Sequence, residues 1–165
     1  MAGPITVFGG TGFIGRHFVA LLLQSGATVR VAVRDPGSVK IPTEPPKATE
    51  IVQADILDDT SVDRAMVVAD AVFNLVGILT ETAAQTYRAI HVEGARRVAM
   101  AAHRHSVRRL IHISALGASP KSPAISDRTK AVGEQAVRAV FPQSTIVRPS
   151  LTLARMITSS PDSPP

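Results

Sequence analysis

The stretch Pro4-Ile-Thr-Val-Phe8, followed by Gly9-Gly-Thr-Gly-Phe-Ile-Gly15, decides the fold of this chain. Its first five residues form a short apolar run, which predicts a strand. Phe13 to Gln24 then places apolar side chains at Ile14, Phe18, Leu21 and Leu22 with helical spacing, and Gly26 supplies a stop. Between them, Gly10, Gly12 and Gly15 fit G-x-G-x-x-G, and Gly9 extends the pattern to G-x-x-G-x-x-G. A tight turn without projecting side chains lets backbone N–H groups and the positive helix end reach a phosphate. Gly9, Gly10, Thr11, Gly12, Phe13, Ile14 and Gly15 are therefore candidates for holding a dinucleotide diphosphate. An ordinary turn is the plainer reading of the same glycines.

Moving outward, Thr28–Val33 is a β-branched run that predicts a second strand. Residues 36–47 hold four of the twelve prolines and predict an irregular surface loop. Strands are expected at Glu50–Ala54, Ala71–Val76, Arg109–Ile113 and Ser144–Arg148. Helices are expected at about 60–69, 84–104 and 126–140. This alternation predicts an α/β fold of the Rossmann type, a doubly wound parallel sheet covered on both faces and truncated after about strand 6. Residues 1–150 are expected to form that domain, and 151–165, polar and proline-rich from Arg155 onward, a disordered tail.

The composition narrows the function. The chain has 165 residues, 45% hydrophobic, enough for a core, and no cysteine, which excludes disulfides, thiolate chemistry and cysteine-built metal sites. No apolar run is long enough to span a membrane. The first glycine turn begins at residue 9, leaving no room for a signal peptide, so a cytoplasmic location is expected, with peripheral membrane contact as the alternative. Residues 1–85 carry six basic and nine acidic side chains; residues 86–165 carry twelve and four. Arg96, Arg97, Arg104, Arg108 and Arg109 supply much of that excess, but without interleaved aromatics to stack bases, so no nucleic-acid partner is expected. An anionic membrane, a partner subunit and a solvated face fit this patch equally.

The remaining cofactor contacts belong at the carboxyl ends of the strands. Arg34 follows the second strand and favours the extra phosphate of NADP; Asp35, beside it, would grip the ribose of NAD or merely begin the loop. NADP is the favoured expectation. Asp55, after strand 3, is a candidate for the adenine edge or for a helix-approach turn. Gly77, after strand 4, would admit the cofactor close to the backbone.

The blocks GGTGFIGRHFV (9–19), VRVAVRDP (29–36), ADILD (54–58), VFNLVGILTE (72–81), HVEGARRVAMAA (91–102), RLIHISALGA (109–118), RTKAVGEQAVRAVFP (128–142) and TIVRPS (145–150) occur in this order. Together they resemble the extended and atypical short-chain dehydrogenase/reductases, the epimerase/dehydratase group. More narrowly they resemble the nucleotide-binding accessory subunit of respiratory complex I and its bacterial relatives. The resemblance implies NAD(P) binding and a place in a larger protein complex or a homo-oligomer. Active members pair a tyrosine with a lysine four residues later on one helical face, where the ammonium lowers the phenol pKa and holds the nicotinamide ribose. Lys130 matches the lysine, but Ser126 stands where the tyrosine belongs, and the single tyrosine is Tyr87, expected on another helix and on the wrong side of strand 5. Ser114 is near the family's helper serine, with Ser119 a weaker option. A nucleotide-binding module without conventional tyrosine–lysine catalysis is the first expectation; an oxidoreductase or epimerase acting on a nucleotide-sugar or quinone-like substrate is the second.

His91 lies where extended members often carry asparagine, and packing or a polar contact is its expected role. His112, inside strand 5, reads as a packed side chain. His103 and His105 are two residues apart with no adjoining acid, so no metal site is expected. After TIVRPS the family's glycine is replaced by Ala154, and family-like sequence stops. One chosen back-translation of 155–165 reads in the neighbouring frame as EDDHFLTRLA, resembling the family's continuation. A shifted frame is thus one expectation for the tail, a short form or a domain boundary the rival, and the gene's codons decide between them.

Overall fold

The computed structural model describes residues 3–39 and 49–150. Six strands, β1 (Ile5–Phe8), β2 (Val29–Val33), β3 (Thr49–Gln53), β4 (Ala71–Asn74), β5 (Arg109–Ile113) and β6 (Thr145–Val147), form one sheet in the order β3-β2-β1-β4-β5-β6. Every pair is parallel. The connections are helical: α1 (Phe13–Gln24), α2 (Asp59–Met66), a seven-residue π turn (Arg88–Gly94) running into α3 (Ala95–Arg104), and α4 (Ile125–Val140). This is the expected doubly wound α/β fold. Val19 and Leu23 of α1 pack with Val7, Val29, Val31 and Val33 in one cluster, and α2, α3 and α4 close a second around Phe8, Val72 and Leu110.

Strand 4 stops at Asn74 rather than Val76, because the Asn74 side chain accepts the Val76 amide (3.2 Å) and takes the chain out of the ladder. Helix 2 stops at Met66, three residues early, where Val68 adopts a left-handed φ of 53°. A row of polar side chains in register across β1, β2 and β3 receives that helix end. Thr6, Arg30 and Glu50 stand side by side. Thr6 Oγ1 and Arg30 Nη1 both donate to the Ala65 carbonyl at 3.0 Å, and Nη1 also donates to Val67 O at 2.6 Å. Arg30 is only 7% exposed, and its Nε pairs with Glu50 at 2.8 Å. A buried cation there complements the negative end of the helix. Of the proline-rich stretch, residues 36–38 form a short 3-10 turn, and 40–48 lie outside the described residues, as does the tail 151–165.

Candidate functional site

Strand order reverses between β1 and β4, and a cleft of about 230 Å³ opens there, at the carboxyl ends of β1 to β4. Ligands of open parallel sheets occupy this position. Gly9, Thr11, Gly12, Arg34, Asp55 and Gly77 all line it. Gly10, Phe13, Ile14 and Gly15 complete the turn and the first turn of α1. No side chain caps that helix and no carboxylate lies in its first turn, so its positive end is unneutralised. A Cβ on Gly15 would overlap the Gly9 carbonyl, so the turn can close this tightly only on glycine. The shape and charge of this turn suit a diphosphate.

The two neighbours after β2 separate in role. Arg34 is exposed and lines the cleft, its backbone carbonyl held by Gln53 Nε2 at 3.3 Å. Asp35 instead caps the 3-10 turn, its Oδ1 accepting the Gly37 amide at 3.0 Å. Asp55 lines the cleft, and its Oδ1 accepts the Leu57 amide at 2.9 Å in the approach to α2.

At the far end of the cleft, α4 brings Lys130 against Gly77, where an added Cβ would sit 3.2 Å from Nζ. Burial pushes the Lys130 ammonium pKa down, with Asp127 and Glu134 opposing. His91 is buried in the π turn; its Nε2 accepts the Ile78 amide at 3.3 Å, so Nδ1 carries the proton toward Thr129 Oγ1 at 3.1 Å. Burial first, and then Lys130, lower its pKa to about 4. His112 is likewise buried in β5 and lowered to about 4, by burial first and then by Lys130. His91 thus makes two polar contacts, and His112 is enclosed within the sheet.

Ser114 follows β5 and is buried. It lies on α4's Glu134, which Arg148 clasps through two bonds of 2.8 and 2.6 Å. Burial alone would raise the Glu134 carboxyl, but Arg148 and the Ser114 hydroxyl hold it below its usual value. Ser119 is turned to its own loop, accepting the Lys121 amide. Ser126 opens α4 one turn before Lys130. Tyr87 is not on α4: it stands at the entry to the π turn, its ring 5.4 Å from that of His91 and its hydroxyl donating to Leu79 O at 2.7 Å. The Glu134–Arg148 pair was not singled out from the sequence; the glutamate four residues after Lys130, on the same helical face, was its only signal.

The basic second half is partly neutralised by acids of the first. Arg97 pairs with Asp59 (2.7 Å), Arg104 with Asp63 (2.9 Å) and Arg108 with Asp70 (2.6 Å). The expectation that no acid adjoins His105 is corrected: its Nε2 lies 3.3 Å from Asp63, brought there by α2 packing on α3. Among the described residues no helix is long and apolar enough to cross a membrane.

The NAD(P)H-binding family model matches residues 9–154. The chain is 37% identical over 148 residues to the mitochondrial NADH-ubiquinone oxidoreductase 40 kDa subunit of Neurospora crassa, covering 88% of this chain and 39% of that protein. It is 33% identical over 150 residues to the ceramide reductase of Caulobacter vibrioides, covering 89% of this chain and 45% of that one. The chain therefore spans less than half the length of these relatives. Among solved structures, MoeE5 in complex with UDP-glucuronic acid and NAD superimposes with a TM-score of 0.73 at 20% identity, over 87% of this chain and 52% of MoeE5. The glycine turn, the switch-point cleft and the family match agree: the chain belongs to the NAD(P)H-binding family.

Proposed function

We propose that the chain is a dinucleotide-binding module that prefers NADP(H) to NAD(H), with a structural or regulatory role in a larger protein complex and no conventional tyrosine–lysine catalysis. The observation that carries this reading is Arg34, exposed in the cleft while Asp35 is occupied by its own turn. A guanidinium there pairs with a 2′-phosphate through charge-assisted hydrogen bonds. The diphosphate takes the amides of the glycine turn and the end of α1. Asp55 faces the adenine edge, Gly77 allows backbone close to the cofactor, and Lys130 holds the second ribose. Ser126 lacks the acidity of a phenol, so Lys130 and Ser114 stand without the proton donor that hydride chemistry requires. Membership of a larger complex follows the respiratory-subunit relatives.

A second reading, an oxidoreductase or epimerase, is favoured by Lys130 standing against Gly77 of the cleft and by the reductase relative. Calorimetric titration with NADPH and NADH, repeated on Arg34→Ala, tests the first. Loss of one charged contact of about 1.5–3 kcal/mol weakens NADPH roughly 10- to 100-fold and leaves NADH unchanged. Equal affinity for both dinucleotides in the wild type, or no effect of the substitution, would overturn it. Oxidation of NADPH on adding a carbonyl substrate would establish the second reading.

A further inference from the structure

Lys130 is half-buried on α4 and makes no hydrogen bond or ion pair among the described residues. Two carboxylates of its own helix bear on the amine, Asp127 one turn before it and Glu134 one turn after. An ammonium in such company takes the nearer carboxylate unless that carboxylate is already engaged. Both are engaged.

Asp127 Oδ2 accepts the Ser122 hydroxyl at 3.1 Å, and the Gly117 backbone lies so close that an added Cβ would come within 2.7 Å of it. Glu134 is buried, with 6% of its surface exposed. Arg148, the residue after β6, occupies both of its oxygens: Nε donates to Oε1 at 2.8 Å and Nη2 to Oε2 at 2.6 Å. A planar guanidinium forks onto a carboxylate through two parallel bonds, whereas an ammonium meets it as a point charge. Arg148 therefore outcompetes a lysine for this partner. The amine is left against Gly77, where an added Cβ would sit 3.2 Å from Nζ, and Gly77 lines the cleft.

We infer that Arg148 is a positioning residue for Lys130: by holding Glu134 it keeps that carboxylate from drawing the amine along α4 and away from the cleft. A buried carboxylate stripped of its cation recruits another, and the one at hand is Nζ, one helical turn away. Arg148 thus acts on the cleft from the end of β6, through a side chain that it touches and a second that it does not. The effect on dinucleotide affinity rests on the function proposed above, in which Lys130 holds the second ribose; the competition for Glu134 does not.

The test is trace acetylation of the full chain with acetic anhydride, read by peptide mass spectrometry as the rate at Lys130 divided by that at exposed Lys121. Acylation needs the unprotonated amine, and an ammonium paired with a carboxylate supplies less of it. Arg148→Gln should lower the ratio roughly tenfold, the low end of what a hydrogen bond to a charged group is worth. Arg148→Lys, which keeps a cation on Glu134, and Glu134→Gln should each leave it close to wild type. The double variant Arg148→Gln/Glu134→Gln has no carboxylate to take the amine and should recover the wild-type ratio. A purely structural pair predicts the reverse, a double variant at least as impaired as Arg148→Gln alone. A ratio unmoved by Arg148→Gln, a double variant no better than that single one, or no acetylation of Lys130 in the wild type would overturn the inference. Calorimetric titration with NADPH should follow the same order, about tenfold weaker in Arg148→Gln and restored in the double variant. Acetylation ratios that behave as expected while NADPH affinity stays fixed count against Lys130 as a ribose ligand and leave the role of Arg148 supported.

Discussion

Arg30→Met should destabilise the fold by about 3 kcal/mol. The estimate follows from three contacts. Removing Nη1 leaves the Val67 carbonyl without its 2.6 Å donor, a loss of roughly 1.5–3 kcal/mol for a charged hydrogen bond. The Ala65 carbonyl keeps Thr6 Oγ1 at 3.0 Å and loses little. Glu50 is half-exposed, so its ion pair adds about 0–1 kcal/mol. Methionine fills most of the apolar volume and limits any cavity cost. Urea unfolding at pH 7 should show a lower midpoint with the slope unchanged. The shared carbonyl gives a sharper check. Thr6→Val alone should cost only about 0.5–1.5 kcal/mol, but in the Arg30→Met background it orphans Ala65 O, so the double variant should lose more than the two singles together. A loss below about 0.5 kcal/mol for Arg30→Met, or strict additivity, would refute the idea that this row terminates α2.

Gly15→Ala forces its Cβ into the Gly9 carbonyl; it should cost about 1–3 kcal/mol and abolish dinucleotide binding, readable by calorimetry and urea unfolding together. Stability should also fall with acidity. His91 and His112, at about 4 when folded and near 6.5 when unfolded, take up protons more readily in the unfolded chain, so stability is full above pH 6.5 and declines toward pH 4, by up to about 3 kcal/mol for each ring. His112→Phe should remove about half of that slope between pH 6.5 and 4, and an unchanged slope would show that this ring is protonated alike in both states.

The strand–helix alternation and the glycine turn were legible because each is written in consecutive residues: Ile5–Phe8 and Phe13–Gln24 carry their period and their glycines locally. What sequence could not supply is whatever depends on pairing register. Thr6, Arg30 and Glu50 lie on three separate strands, and only the parallel alignment makes them one row. Arg34 and Asp35 stayed open alternatives because adjacent side chains compete for the same cleft until one is claimed by a turn; the Asp35 contact to Gly37 decides their placement. Strand 4 ended early through a side-chain bond from Asn74, which no apolar pattern reveals.

The three arginine–aspartate pairs linking α2 and its flanks to α3 and β5 have a consequence for the molecule's electrical behaviour. Along the sequence the chain is polarised, acidic then basic, yet in space each of these opposites is a few ångströms from the other. A polyanion approaching at more than a Debye length therefore meets a much weaker positive field than the charge count of the second half suggests. A fragment cut between β4 and the π turn would lose that neutralisation at once and carry, with twelve basic and four acidic side chains from residue 86 onward, +8 in place of the +5 of the whole chain.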